Sequence, residues 1–192
     1  IKKSDDNIIV TTNNAEYECK SIILAVGAKN RSLGLENEEK LIGKGVSYCA
    51  TCDGAFFKGQ DVAVVGGGNT ALEDVAFLSN YCNKVYLIHR REELRGESYL
   101  AKELQSKENV EFILNANVTS LIGDESLEGI IVDVMNKGKE ELNISGLFLA
   151  IGKVPNTKRF NGIVDIDDYG YIIAGEDCNT STPNIYVAGD CR

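Results

Sequence analysis

A stretch near the middle of the chain constrains the fold more than any other, because it combines a strand, a glycine turn and a helix. Residues 61–65 read Asp-Val-Ala-Val-Val, a valine-rich run that favours a strand. Gly66, Gly68 and Ala71 follow with the spacing G-x-G-x-x-A. In this pattern the first glycine permits a tight turn, the second lets the backbone approach a pyrophosphate, and the small third residue allows close packing of helix and strand. The stretch therefore predicts a dinucleotide-binding turn.

The elements after the turn complete a Rossmann-like unit. Leu72 and Val75 have helical spacing, and the apolar run 85–88 supplies a second strand. A helix over 97–107 and a strand over 110–114 extend this alternation, which is typical of a parallel sheet. We therefore predict the fold class α/β: a Rossmann-like FAD/NAD(P)-binding, three-layer domain with a central parallel sheet.

A second pattern occurs twice in the chain. Residues 8–27 and 130–152 each read as a hairpin followed by a buried strand that ends in glycine. Two copies this far apart suit two homologous domains rather than a small solenoid repeat, although two short apolar strands can also resemble each other by chance. The pattern adds an antiparallel β-hairpin crossover to the predicted domain and predicts a second, homologous domain.

The end of the second predicted strand indicates which dinucleotide binds. NAD sites usually carry an acidic residue there, about 20 residues beyond the glycines, to bind the ribose hydroxyls. This sequence has basic residues instead: His89, Arg90, Arg91 and Arg95. Guanidinium groups bind a 2′-phosphate through charge-assisted hydrogen bonds, so we predict NADPH, with His89 stacking beside the adenosine. The alternative is a solvated basic helix start, in which Glu92 and Glu93 pair with the arginines.

A Cys-x-x-Cys pair, Cys49 and Cys52, lies just before the fingerprint strand. Two intervening residues allow the thiols to close a small disulfide ring, and Asp53 is a candidate proton donor and acceptor for thiol chemistry. The alternative is two ordinary buried cysteines. Only one such pair and one histidine are present, so we expect no metal site. Because a flavin normally joins hydride transfer from NADPH to disulfide chemistry, the combination implies a flavoprotein.

Net charge and hydropathy restrict the partners and the cellular location that we expect for the protein. Twenty Lys and Arg residues stand against 29 Asp and Glu residues, a net charge of −9, whereas nucleic-acid binding calls for a basic patch. No run approaches the roughly 18 apolar residues of a membrane span, and no signal segment opens the chain. We therefore expect a cytoplasmic protein that binds neither nucleic acid nor membrane.

Several motifs, in family order, resemble those of NADPH-dependent thioredoxin reductases of the low-molecular-weight, bacterial type. They occupy residues 49–54, 66–71, 89–91 with Arg95, 146–148, 150–152, 155–157 and 188–190. The resemblance covers essentially the whole chain. It implies an enzyme that passes electrons from NADPH through FAD to the Cys49–Cys52 disulfide, and then to oxidised thioredoxin.

The resemblance also implies where the domains begin and end, and what each cysteine of the pair does. Residues 1–28 and 158–192 would be remnants of an FAD domain, and residues 29–157 would be an NADPH-binding domain that carries the redox pair. By position in the family motif, Cys52 would face the flavin and Cys49 would attack the thioredoxin disulfide.

The family resemblance assigns the remaining site residues as well, with Asp53 as acid and base. The implied NADPH-binding residues are Gly66, Gly68, Asn69, Thr70, Ala71, His89, Arg90, Arg91, Arg95 and Gly152. The implied FAD-binding residues are Gly27, Gly189 and Asp190. The whole protein would be a homodimer whose domains rotate against each other.

Two departures from the family pattern set further expectations. The family's first glycine-rich fingerprint, which binds the ADP part of FAD, precedes the position of Ile1, and the family continues beyond Arg192. We therefore expect an incomplete part of the protein that binds NADPH, holds FAD weakly or not at all, and need not be active by itself.

Two other functions fit parts of the same pattern. The flavoprotein component of alkyl hydroperoxide reductase resembles this chain in fold and dithiol, but it has an extra N-terminal thioredoxin-like domain and reduces a dedicated partner. A non-catalytic NADP-binding redox sensor would instead use Cys49 and Cys52 to report redox state to a protein partner.

Overall fold

The structure is a computed structural model that describes residues 1–4 and 7–192. The chain divides into two compact units: unit 1 comprises Ile1–Asn30 and Lys153–Arg192, and unit 2 comprises Arg31–Gly152. Unit 2 is therefore inserted between the two parts of unit 1 in sequence. Within the described part of the chain, no helix is long and apolar enough to cross a membrane.

Strands and helices are numbered along the chain. The strands are β1 (Lys2–Ser4), β2 (Asn7–Thr11), β3 (Glu16–Cys19), β4 (Ile22–Leu24), β5 (Ala28–Asn30), β6 (Val46–Ser47), β7 (Asp61–Gly66), β8 (Lys84–His89), β9 (Val110–Leu114), β10 (Ala116–Ile122), β11 (Gly129–Val134), β12 (Gly138–Leu142), β13 (Gly146–Ala150), β14 (Lys153–Pro155) and β15 (Ile185–Val187). The helices are α1 (Glu38–Leu41), α2 (Ala50–Asp53), α3 (Asn69–Leu78) and α4 (Ser98–Gln105), with short 3-10 helices at Gly54–Phe57 and Lys158–Phe160.

Unit 2 is built on a five-stranded parallel sheet with the order β6-β13-β7-β8-β9. The predicted strands at 61–65, 85–88 and 110–114 are β7, β8 and β9, and the predicted helices are α3 and α4. β7, α3 and β8 form the βαβ unit that the glycine pattern predicts. The predicted α/β fold with a central parallel sheet is confirmed.

Successive side chains of the central strands pack into different layers of unit 2. Val62 and Val64 of β7 belong to the buried cluster formed with α3 and α4, whereas Ala63 belongs to the cluster formed with β10 and β11. On β13, Phe148 likewise packs on the helix side and Leu147 on the other. Because side chains alternate across a strand, a continuous apolar run fills both faces. The result is three layers: helices, parallel sheet and antiparallel sheet.

The antiparallel layer of unit 2 is the three-stranded sheet β10-β11-β12. Its second and third strands form the hairpin that the sequence predicted within residues 130–152, with a turn at which Asn136 and Gly138 have positive φ. Strand β10 was not predicted. It follows β9 through a left-handed residue, Asn115, and reverses the chain from the parallel to the antiparallel layer.

Unit 1 contains small sheets. β1, β2 and β3 form an antiparallel meander, β4 pairs in parallel with β15, and β5 pairs antiparallel with β14. The described residues of unit 1 form a core cluster that includes Ile8, Leu24, Phe160 and Val187. The meander followed by a parallel strand repeats the order of β10 to β13 in unit 2, as the two sequence copies predict. The sequence also predicted that this strand is buried, but β4 is only partly buried, whereas β13 is almost entirely buried.

Candidate functional site

The glycine turn between β7 and α3 has one closely packed glycine and one open glycine. A Cβ on Gly66 would lie 2.6 Å from the carbonyl oxygen of Ala150 and 2.7 Å from the Cβ of Ala71. A Cβ on Gly68, by contrast, would meet no heavy atom within 4 Å. Packing therefore explains glycine at position 66 and the small residue at 71. The open space at Gly68 leaves room for the close approach of a phosphate.

The N-terminus of α3 faces that open space with free donors. The helix begins at Asn69, and no side chain caps it among the described residues. Its first turn carries Thr70, which is exposed, and Ala71, which is buried. Unpaired N–H groups at the start of a ten-residue helix attract an anion, so the turn can bind a pyrophosphate.

His89, at the end of β8, packs against the turn. Its ring lies against Gly67, where a Cβ would come within 2.3 Å of the ring. The side chain is 6% exposed, and its Nε2 has no hydrogen-bond partner among the described residues. Burial, with smaller contributions from Arg95 and Arg90, lowers the pKa of His89 below its ordinary value of 6.5. Because the ring is buried against the turn, it is placed to support the backbone; stacking on adenosine stays a prediction.

The segment after β8 is tied to the glycine turn by three hydrogen bonds. The carbonyl oxygen of Gly67 accepts from the backbone N–H of Arg95 at 2.6 Å and of Gly96 at 3.0 Å. The side-chain oxygen of Asn69 accepts from the backbone N–H of Glu97 at 2.8 Å. The arginine segment and the glycine turn are therefore one connected structure, and Asn69 contributes by holding that segment.

A cavity of about 300 Å³ opens at the carboxyl ends of β7, β8 and β13, where α/β sheets bind their ligands. Its lining residues are Arg31, Ser32, Leu33, Val65, Gly66, Gly67, Ile88, His89, Arg90, Arg95, Ala116, Asn117, Val118, Ala150 and Ile151. The predicted residues Arg90 and Arg95 meet there with the glycine turn. Arg91 is exposed and Gly152 has positive φ just after β13, but neither is among these lining residues.

The two cysteines of the Cys-x-x-Cys pair form a disulfide. Cys49 and Cys52 are joined with an S–S distance of 2.05 Å and a Cα–Cα distance of 5.3 Å. Cys49 is the N-cap of α2, and its Sγ accepts from the backbone N–H of Cys52 at 3.2 Å. Cys49 is half-buried and Cys52 is exposed. The helical turn holds the two sulfurs together, so the predicted disulfide ring is present.

Asp53 is connected to this disulfide through a buried serine. The Ser47 hydroxyl donates to Oδ2 of Asp53 at 2.6 Å, and it accepts from the backbone N–H of Cys49 at 3.1 Å. Ser47, at the end of β6, is 6% exposed. The sheet thus fixes the Asp53 carboxylate relative to Cys49. Sequence reasoning did not identify Ser47, since a lone serine before the motif carries no signal of its own.

An apolar surface adjoins the dithiol. A cavity of about 170 Å³ is lined by Ser47, Asp53, Phe56 and Phe57 together with residues 43 and 45–46. Phe57 is anchored by an edge-to-face contact with Phe148, with ring centroids 5.5 Å apart, whereas Phe56 is 78% exposed. An exposed aromatic ring beside a reactive pair suits contact with a protein substrate.

In unit 1 the predicted flavin residues lie at one edge of a small parallel sheet. Gly27 follows β4 and Gly189 follows β15, its parallel neighbour, and both glycines have positive φ with no heavy atom near a Cβ. Asp190 is exposed, and its carboxylate accepts a hydrogen bond from Lys153 at 2.8 Å. That hydrogen bond and the ammonium charge lower the pKa of Asp190 below its usual value.

The other four cysteines are free thiols. Cys191 is fully buried, with its Sγ 3.4 Å from the carbonyl oxygen of Leu24. Cys82 is buried just after α3, and burial raises the pKa of its thiol to about 11. Both therefore serve packing. In residues 1–4 and 7–192 no group of three or more His, Cys, Asp and Glu residues could hold a metal ion.

A family model, curated relatives and a solved structure all relate this chain to known reductases. Residues 1–192 match the pyridine nucleotide-disulphide oxidoreductase family. The thioredoxin reductase of Listeria monocytogenes is 41% identical over 185 residues, which are 95% of this chain and 58% of that protein. An alkyl hydroperoxide reductase component of Staphylococcus aureus is 41% identical over 99% of this chain and 38% of its own length. The crystal structure of Lactococcus lactis thioredoxin reductase superposes with a TM-score of 0.82, at 32% identity, over 100% of this chain and 64% of its own.

Proposed function

Because the chain belongs to the pyridine nucleotide-disulphide oxidoreductase family, we propose that it is part of an NADPH-dependent thioredoxin reductase. The observation that carries this proposal is the Cys49–Cys52 disulfide, which lies in the same unit as the glycine turn and its arginine-lined cavity. The Listeria relative, of which the chain spans 58%, bears that name. The activity, substrates and partners given below are parts of this proposal.

NADPH binds in the cavity at the end of the central sheet. The open backbone at Gly68 and the N-terminus of α3 bind the pyrophosphate. Arg90 and Arg95 bind the 2′-phosphate, and Arg91 is proposed to contribute at the rim. The residues present fit this ligand, because packing requires Gly66 but leaves open space at Gly68, the position that the phosphate would approach.

FAD is proposed for unit 1. Gly27, Gly189 and Asp190 would hold it, since two left-handed glycine turns meet there at the carboxyl ends of adjacent parallel strands, and the carboxylate can accept hydrogen bonds from hydroxyl groups. When bound, the flavin supplies the two-electron link between nicotinamide and disulfide. We expect this part of the chain by itself to hold FAD weakly.

The dithiol form of the pair performs the exchange with oxidised thioredoxin. The Cys49 thiolate attacks one sulfur of the thioredoxin disulfide, which forms a mixed disulfide and releases one thioredoxin thiolate. The Cys52 thiolate then attacks Cys49 Sγ, which re-forms the Cys49–Cys52 bond and releases the second thiolate. Asp53, oriented by Ser47, accepts protons from the Cys49 and Cys52 thiols as they become thiolates, and donates protons to the departing thioredoxin thiolates. Two electrons and two protons pass to thioredoxin.

The remaining parts of the proposal concern the partners, the oligomeric state and the cellular location. The apolar surface around Phe56 would contact thioredoxin, and the whole protein would be a homodimer. A cytoplasmic location agrees with thiol chemistry that depends on reduced cysteines. We propose no nucleic-acid or membrane partner.

Trapping the mixed disulfide tests the exchange directly. With oxidised thioredoxin, reduced Cys52→Ser protein should accumulate a covalent complex, because Cys49 can attack but no resolving thiolate is present. Cys49→Ser should give no such complex, and Cys178→Ser, at a free cysteine of the other unit, should turn over normally. Mass spectrometry and NADPH oxidation by the FAD-loaded, intact protein are the measurements. Full turnover by Cys52→Ser would contradict the proposal.

The same assay separates two further candidates. The Staphylococcus aureus relative, an alkyl hydroperoxide reductase component that matches 99% of this chain, makes a dedicated partner other than thioredoxin the second candidate. Turnover with thioredoxin at rates typical of an enzyme, about 1 per second or faster, would favour the reductase. Bound NADPH without turnover on any disulfide protein would instead favour a redox sensor.

A further inference from the structure

A third arginine lines the proposed nucleotide cavity. Arg31 lies in the segment that enters unit 2, far in sequence from the fingerprint, yet it borders the same cavity as Arg90 and Arg95. Its backbone N–H donates to the carbonyl oxygen of Gly152 at 2.9 Å, which fixes the segment beside the end of β13. The dinucleotide fingerprint does not include this residue.

A buried carboxylate holds the segment that carries Arg31. Glu38, the first residue of α1, is 3% exposed. Its two carboxylate oxygens accept backbone N–H groups from Leu33, Gly34 and Leu35 at 3.0, 2.8 and 3.2 Å. A buried charge is tolerated when hydrogen bonds satisfy it, and these three bonds fix the course of residues 33–35. We call residues 31–35 the strap.

The charges of the cavity favour a phosphate ligand. Among the described residues, its lining includes three arginines and no Asp or Glu, although the chain as a whole carries a net charge of −9. Clustered guanidinium groups raise the local concentration of anions and bind phosphate oxygens bidentately. The apolar residues beside them, among them Leu33 and Val118, suit the flat face of a base.

We propose that Arg31 binds a phosphate of the nucleotide in this cavity, and that Glu38 is the positioning residue that holds the strap for it. This inference rests on the proposed function only in requiring an adenine nucleotide in the cavity. The phosphate is either the 2′-phosphate or one on the 5′ side, and two probes distinguish them: 2′,5′-ADP and 5′-ADP.

Calorimetric titration of the intact protein with both probes is the test. Arg31→Ala should weaken 2′,5′-ADP about tenfold, since one charge-assisted contact is lost, and Arg31→Lys should recover part of that loss. A loss confined to 2′,5′-ADP assigns Arg31 to the 2′-phosphate, and an equal loss for both probes assigns it to the 5′ side. Unchanged affinity for both probes overturns the proposal.

Glu38 is tested through its coupling to Arg31. Glu38→Ala should weaken the same probe, Glu38→Gln should weaken it less because one acceptor oxygen remains, and Glu38→Ala should add nothing in an Arg31→Ala background. Additive losses would overturn the positioning role. Lys40→Ala removes a cation from the same helix outside the cavity and should leave affinity unchanged. Wild-type protein that binds neither probe would contradict the proposed function itself, whereas binding that ignores Arg31 would contradict only this inference.

Discussion

Strand β13 in unit 2 and strand β4 in unit 1 carry the same short pattern in different surroundings. Leu149 and Leu24 are both buried, and Gly152 and Gly27, three residues after them, both have positive φ. The residue before each leucine differs sharply, because Phe148 is fully buried whereas Ile23 is 69% exposed. The shared sequence pattern thus gives both segments a similar backbone conformation, but the neighbouring layers determine whether the side chains are buried.

The neighbours explain the difference. β13 lies between β6 and β7 in a five-stranded sheet, with helices over the face that Phe148 occupies. β4 has one strand partner in the described part of the chain, β15. An apolar side chain on a parallel strand becomes core only when something covers its face. Substitutions at matched positions of the two strands can therefore test how far the likeness extends.

Truncating the two matched side chains should give the largest contrast. Phe148→Ala removes a buried ring and its contact with Phe57, and should lower the free energy of unfolding of unit 2 by about 3–5 kcal/mol. Ile23→Ala should cost about 0.5 kcal/mol or less, because the side chain is exposed. Hydrogen exchange resolves the two units separately. Equal costs would mean that another surface covers Ile23 in solution.

Alanine at two glycines compares packing with backbone conformation. Gly66→Ala places a Cβ against β13 and α3, where contacts of 2.6 and 2.7 Å require a shift, and should cost about 1–3 kcal/mol. A Cβ at Gly27 would meet no heavy atom within 4 Å. Gly27→Ala should therefore lower the free energy of unfolding only through the left-handed φ of 62°, by about 1–2 kcal/mol. The ordering can be checked by denaturant unfolding followed in each unit. A larger cost at Gly27 would contradict the packing account.

Acid should affect unit 2 through His89, the only histidine of the sequence. Burial lowers its pKa below 6.5, so the unfolded chain binds a proton at a pH where the folded protein does not. The contribution of His89 to the stability of unit 2 should therefore be fully present above about pH 6.5 and be lost progressively as the pH falls below it. His89→Gln should remove this part of the pH dependence. Identical pH profiles for the two proteins would show that His89 is not the cause.

Much of the fold was predictable because it is encoded locally. β7, the glycine turn, α3 and β8 follow one another within about 30 residues, so periodicity and glycine spacing suffice. Strand β10 and the β5–β14 pair were missed, since β10 carries weak alternation and residues 28–30 pair with 153–155 across the whole insertion. Contacts between distant segments leave no mark in a local pattern.

The candidate site shows the same limit. The cysteines, Asp53, the glycines and the arginines after β8 all belong to motifs, and the sequence identifies them. Ser47 and Glu38 act through hydrogen bonds to Asp53 and to the strap, which only tertiary structure reveals. Arg31 is brought to the cavity by the course of the chain at the start of unit 2, and its residue type alone does not distinguish it from other arginines.

The smallest effect should come from the ion pair beside the predicted flavin residues of unit 1. Lys153 and Asp190 are both more than half exposed, so solvent and salt screen their attraction. Lys153→Met should barely change the stability of unit 1, but the pKa of Asp190 should rise toward its ordinary value, because the hydrogen bond and the charge that lower it are removed. Carbon-detected NMR titration of the carboxyl measures this shift, and Lys158→Met, at an exposed lysine of the same unit, is the control.

The Lys153→Met substitution also has an expected effect on FAD affinity. In the proposed FAD site, the Asp190 carboxylate, which is paired with Lys153, would exchange that partner for a hydroxyl group of FAD, so Lys153→Met should leave FAD affinity equal or higher. Fluorescence titration of the intact protein with FAD measures this affinity. Lower FAD affinity in that variant would mean that Lys153 itself contacts the cofactor.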